Sequence, residues 1–122
     1  MSGNCIANGT VVNNTKYDMW VVSSTVASGH WNTAPVTVAA NSTNTGAFVA
    51  QGTAGTATGT SGNVVYNLHD CVPHTNVTIV FDDPFSSSNS AQANASTASF
   101  TASASVPSSG SNVVFTYTVS AA

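Results

Sequence analysis

Residues Gly52 to Phe85 read GTAGTATGTSGNVVYNLHDCVPHTNVTIVFDDPF, and the way this stretch alternates decides the fold. After a glycine-rich opening, Val64, Tyr66 and Leu68 fall on one face of an extended chain. Past a break at Val72-Pro73-His74, Val77, Ile79 and Phe81 do the same. Two period-two runs with a turn-rich break between them predict adjacent strands of an antiparallel sheet. Asp82-Asp83-Pro84-Phe85 ends the pair, because Pro84 lacks a donor and restricts the residue before it. The two aspartates read best as a turn before proline, with Asp83 bonded to nearby backbone, rather than as a catalytic carboxylate pair.

Working outward, Gly46 to Gln51 predicts a strand, as do Val36 to Val38, Tyr17 to Ser23 and Ile6 to Asn13. The segment from Ala27 to Pro35 reads as a loop, and Ser86 to Asn94 as a mobile one. Ala98 to Val106 alternates small apolar residues with Ser and Thr, which makes it a strand rather than low-complexity sequence. Val113, Phe115, Tyr117 and Val119 mark the last strand. About eight strands with no helical periodicity predict an all-β, single-domain antiparallel β-sandwich spanning residues 1–122.

Composition narrows the function. Charged residues are 4% of the chain, against the usual ~25%. Lys16 is the one cation, facing Asp18, Asp70, Asp82 and Asp83; Glu and Arg are absent. Hydrophobic residues at 42% argue against disorder. A net charge of −3 argues against nucleic acid, and against docking on anionic lipid by charge. The N-terminus has no basic or long apolar run, and no segment approaches the ~18 apolar residues of a membrane span. The expectation is a leaderless soluble protein made in the cytoplasm, able to act on target membranes after release.

Trp20, inside a strand, reads as core, whereas Trp31, in a Gly/Asn/Pro context, reads as exposed. Tyr66 and Tyr117 read as core or groove-lining, and Phe85 as a loop anchor. His69, Cys71 and His74 with Asp70 supply ligand-type side chains, but without a second arm they do not make a zinc site. Cys5 and Cys71 leave a disulfide and two free thiols equally open. Neither a nucleophile elbow nor a phosphate loop is present, so neither an enzyme nor a cofactor is expected.

An ordered set of elements resembles the aegerolysins. It comprises Gly29-His30-Trp31 with Pro35, Phe48-Val49-Ala50, Thr58 to Tyr66, Phe81-Asp82-Asp83-Pro84-Phe85 with Ser88-Asn89, and the strand from Val114 to Val119. The pattern is similar to small insecticidal aegerolysins of bacterial binary toxins and to those of fungal fruiting bodies. The resemblance implies a sandwich that binds membrane lipids, often sphingolipid with sterol, and a larger protein partner that completes a pore. The chain departs from the pattern in having no Glu, in Ser61 where the toxin-like members tend to have an acid, and in Cys5 and Cys71.

On this reading Trp31 and Phe85 supply apolar contact and Thr58, Thr60 and Ser61 supply hydrogen bonds to lipid, with Tyr66 nearby. Two other classes suit the same composition. One is a lectin, with a Trp stacked on a sugar and Asp82 or Asn89 bonding its hydroxyls. The other is a storage or self-assembling protein, since near-zero surface charge promotes association.

Overall fold

The computed structural model describes residues 5–53, 59–70 and 74–122. They form nine strands: β1 (Ile6–Asn14), β2 (Met19–Ser28), β3 (His30–Thr33), β4 (Ser42–Gln51), β5 (Thr60–Leu68), β6 (Thr75–Asp83), β7 (Ser90–Ala95), β8 (Phe100–Ser105) and β9 (Asn112–Ala121). One sheet runs β3-β4-β1-β9-β8 and the other β2-β5-β6-β7. The result is the expected all-β sandwich. The pairing is antiparallel except between β1 and β9, the first and last strands, which lie parallel at the middle of the five-stranded sheet.

The alternation of the deciding stretch is realised residue by residue. Thr60, Gly62, Val64, Tyr66 and Leu68 of β5 face inward, opposite Asp83, Phe81, Ile79, Val77 and Thr75 of β6. Aromatic rings tie the sheets together: Phe48 lies 5.3 Å from Phe81 and 6.3 Å from Tyr117, and Phe81 lies 6.1 Å from Phe115. Gly9 makes room for this cluster, since a Cβ there would sit 2.2 Å from the Phe48 ring. The Tyr117 hydroxyl crosses the core to donate to the Val80 carbonyl at 2.7 Å. Burying a phenol this way satisfies its polar end while the ring packs.

Four expectations change. Trp20 is 49% exposed, because Met19 and Val21 take the inward positions of β2 and leave Trp20 on the outer face. Residues 27–35 are not one loop: β2 continues to Ser28 and β3 begins at His30. Val38 makes only an isolated bridge to Met19 instead of a strand with Val36. Within the expected mobile loop, Ser90–Ala95 is β7, paired with β6 and packing Ala91, Ala93 and Ala95 against the core.

Register defines the two ends of the sandwich. Ile6, Gln51, Thr60, Asp83 and Asn112 mark one; Asn14, Leu68, Thr75, Phe100 and Ala121 mark the other. We call them the Trp31 end and the Tyr17 end.

Candidate functional site at the Trp31 end

Gly29 starts the construction of this end. Its φ of +88° carries the chain from β2 in one sheet to β3 in the other, and a Cβ there would lie 2.3 Å from the Gln51 carbonyl oxygen. Two residues on, Trp31 pairs with Ala50 at the edge of the sheet. Its half-buried indole packs on Phe48 at 5.6 Å and on Phe81 at 5.7 Å, at the mouth between the sheets. The sequence places Trp31 in an exposed loop; the structure makes it part strand and part core, with one side of the ring left at the surface.

The facing sheet is clasped to this turn. Thr60 is buried, and its hydroxyl donates to the Ser28 carbonyl at 3.1 Å, while the Ser28 hydroxyl donates to the Gly59 carbonyl at 3.1 Å. The Thr60 side chain is therefore engaged inside the protein. Ser61 is half-buried on the outer face, opposite Ser28 and Asp82. Phe85, two residues past the end of β6, is 44% exposed. Its loop is anchored by Asn89, whose amide nitrogen donates to the Pro107 and Gly110 carbonyls at 3.0 Å each. Asn89 is thus a buried anchor rather than a surface group for sugar hydroxyls. Thr58 lies outside the described residues.

Asp83 is the group the sequence conceals. It is fully buried, and neither carboxylate oxygen has a hydrogen-bond partner, so the expected backbone bond is not made. Burial, with a smaller contribution from the Asp82 charge, pushes its carboxyl up from 3.8 to about 7. Beside it, the free thiol of Cys5 points at the Pro84 carbonyl, 3.9 Å away, and is raised by burial and by Asp83. Among the described residues Cys5 has no disulfide partner; Cys71, its expected alternative partner, lies outside the described residues. Nothing in the residues around Asp83 announces this environment, since Asp-Asp-Pro reads as a turn.

The surface of this end combines an indole edge, an exposed phenyl ring, a serine and the half-buried Asp82. The chain's one cation, Lys16, belongs to the other end. Such a surface suits a partner offering apolar chains and neutral hydrogen-bonding groups.

No family model matches the chain, and no curated protein matches its sequence. Solved structures do share its architecture. The lipid-binding protein Nakanori superposes with a TM-score of 0.81 at 13% identity, over 98% of this chain and 72% of that one. RahU, solved with a Tris molecule, superposes at 0.74 with 18% identity, over 96% of this chain and 95% of its own. The chain has their fold.

One expected site residue falls elsewhere. Tyr66 lies six residues along β5 from Thr60, about 20 Å at strand rise, and is fully buried. It is a core residue, not a surface contact of this end. His69 and His74 sit beyond the opposite end, with rings 5.0 Å apart and the Trp20 ring tilted at 43° against His69 at 4.8 Å. His74 lies 3.8 Å from Asp70, whose carboxylate also accepts from the Thr75 amide and hydroxyl at 2.9 and 2.8 Å. Among the described residues, no three such groups converge as a metal site.

Proposed function

We propose that this chain is a non-enzymatic, aegerolysin-like protein that binds membrane lipid through its Trp31 end. The observation that carries the reading is the placement of Trp31, on β3, and Phe85, in the loop after β6, at one end without a Lys or Arg. A similar fold in a protein described as lipid-binding supports it. Recognition without a cation favours a zwitterionic or neutral surface, which fits sphingolipid with sterol better than anionic phospholipid.

Thr60 is turned inward, so Ser61 and exposed backbone of the adjoining loops supply the hydrogen bonds. Trp31 supplies an amphipathic ring suited to the headgroup level, and Phe85 a purely apolar one. Among the described residues no helix is long and apolar enough to cross a membrane. The proposal includes a larger second chain that completes a pore, as the aegerolysin resemblance implies, and uses this one for recognition.

Co-sedimentation with vesicles of neutral phospholipid, alone or with sterol, sphingomyelin or ceramide phosphoethanolamine, tests the proposal. Salt-insensitive binding to one sphingolipid mixture, lost in Phe85→Ala and weakened in Trp31→Ala, is expected. Indifference to every mixture, or full binding by both variants, overturns it. Glycan binding by a protein indifferent to vesicles would move the lectin reading ahead, with the exposed pair of Trp20 and His69 as its sugar platform.

A further inference from the structure

The Tyr17 end carries a second constructed recess. A groove of about 540 Å³ is lined by Asn14, Thr15, Lys16, Tyr17, Asn41, Ser99, Phe100 and Ala121. That volume lies within the ~300–1,000 Å³ typical of small-ligand sites. One wall is aromatic: Tyr17 meets Phe100 edge to face at 6.1 Å. The chain's single cation stands over that wall, with the Lys16 ammonium 5.5 Å from the Tyr17 ring centroid. Asn14, Thr15, Asn41 and Ser99 add amides and hydroxyls, Ala121 adds a methyl group, and no acidic side chain lines the groove. The nearest acid in sequence, Asp18, has a side-chain oxygen that accepts from the Ala40 amide at 2.9 Å.

The rim is held from beneath by a residue that contributes nothing to the surface. Asn13 is fully buried at the end of β1. Its amide nitrogen donates to the carbonyls of Tyr17 at 2.8 Å, Ala39 at 3.2 Å and Val38 at 3.3 Å. Its oxygen accepts from the Thr15 amide at 3.0 Å and the Thr15 hydroxyl at 2.7 Å. Thr15 in turn accepts through its carbonyl from the Asn41 amide at 2.9 Å. Asn41, with φ of +52°, is the only non-glycine residue with positive φ among the described residues. Two loops that line the groove are thereby locked in one geometry before any ligand arrives, which is how a site avoids ordering costs on binding.

We propose that this groove is a second ligand site, distinct from the Trp31 end, that takes a monophosphate group carried on a ring-sized body. The phosphate sits against Lys16, where Asn14, Asn41 and Ser99 supply further donors, and the ring lies against Tyr17 and Phe100. A phosphate fits better than a single hydroxyl or carboxyl because one cation and several neutral donors converge with no acidic side chain among the lining residues. A free phosphomonoester and a lipid phosphate headgroup present the same chemistry, and the experiment separates them.

The test is a titration of the ¹⁵N-labelled protein with phenyl phosphate, glucose 6-phosphate, phenol and glucose. A parallel co-sedimentation uses phosphatidic acid vesicles. The expected result is saturable shifts of the Lys16, Tyr17, Asn41 and Phe100 amides with a phosphate compound and none with its neutral counterpart. Lys16→Gln should weaken that binding at least tenfold with an unchanged melting curve. Trp31→Ala should leave it intact, so this site and the lipid reading can fail independently. Binding of phosphatidic acid vesicles that Lys16→Gln abolishes would name the headgroup as the source; soluble phosphates bound without vesicle binding would name the free metabolite. No shift at these amides with either phosphate, or equal binding by Lys16→Gln, overturns the proposal.

Discussion

At the Tyr17 end, the buried Asn13 has each of its polar atoms bonded, and two loops are fastened to it. At the Trp31 end, the buried Asp83 has both oxygens unpartnered, and the surface above it is apolar. The two residues hold comparable positions, one next to last in β1 and the other last in β6. A satisfied buried polar network rigidifies its surroundings, whereas an unsatisfied one keeps them close to rearrangement. The difference assigns preorganisation to the groove and adaptability to the end proposed to meet a membrane.

The strongest way to break the comparison is Asn13→Ala. It leaves the buried Thr15 amide and the Ala39 carbonyl without the Asn13 side chain, while the Tyr17 carbonyl keeps the Thr15 hydroxyl and the Val38 carbonyl the Met19 amide, and a loss of about 2–3 kcal/mol is expected in urea denaturation. Amide exchange should accelerate at residues 14–17 and 38–41 and stay unchanged at Trp31. Uniform acceleration would show that the two ends are not separate in stability.

Asp83 gives the opposite sign. Its folded carboxyl titrates near 7 and its unfolded one near 3.8, so the folded state holds the proton more tightly. That contribution is complete below 3.8 and is lost as pH rises toward 7. Asp83→Asn should therefore be more stable than the parent at pH 8, by about 2 kcal/mol, and nearly equal to it at pH 4. A constant difference across that range would remove the buried carboxyl from the account.

Ser28→Ala sharpens the contrast on a smaller scale. It removes the bond to the Gly59 carbonyl and should cost about 1 kcal/mol, with faster exchange confined to the Trp31 end. Trp20→Ser should change the urea midpoint least, within about 0.5 kcal/mol, because the ring is half in solvent. A larger loss would mean that the contact with His69 holds the β5–β6 turn.

How far each end can be read from sequence follows the same division. β5 and β6 are legible because their large apolar residues Val64, Tyr66, Leu68, Val77, Ile79 and Phe81 recur at every second position, although Val65 and Val80 interrupt the polar face. β2 is ambiguous because Met19, Trp20, Val21 and Val22 are all apolar, and period two cannot say which pair faces inward. β7 escapes because Ala, Asn and Gln carry little strand propensity, although Ala91, Ala93 and Ala95 do alternate. Trp31 and Phe85 are legible as candidate site residues because both stand next to turn formers. Asn13 and Asp83 are not, because Asn-Asn-Thr and Asp-Asp-Pro look like ordinary turns. Only long-range packing decides which turn residue is buried, and local pattern carries no record of it.

The parallel pairing of β1 with β9 has a consequence for how the chain is made. β1, made before the other eight strands described, finds its central neighbour only when β9 has left the ribosome, since Ile6 pairs with Asn112 and Asn14 with Ser120. The four-stranded sheet, built from β2 and β5 to β7, is available for pairing before β9 is synthesised. The five-stranded sheet must wait, and long-range pairing of this kind closes slowly. Until then β1 has β4 on one side and an open edge on the other, so the newborn protein spends its synthesis exposed to mispairing that the finished one has sealed.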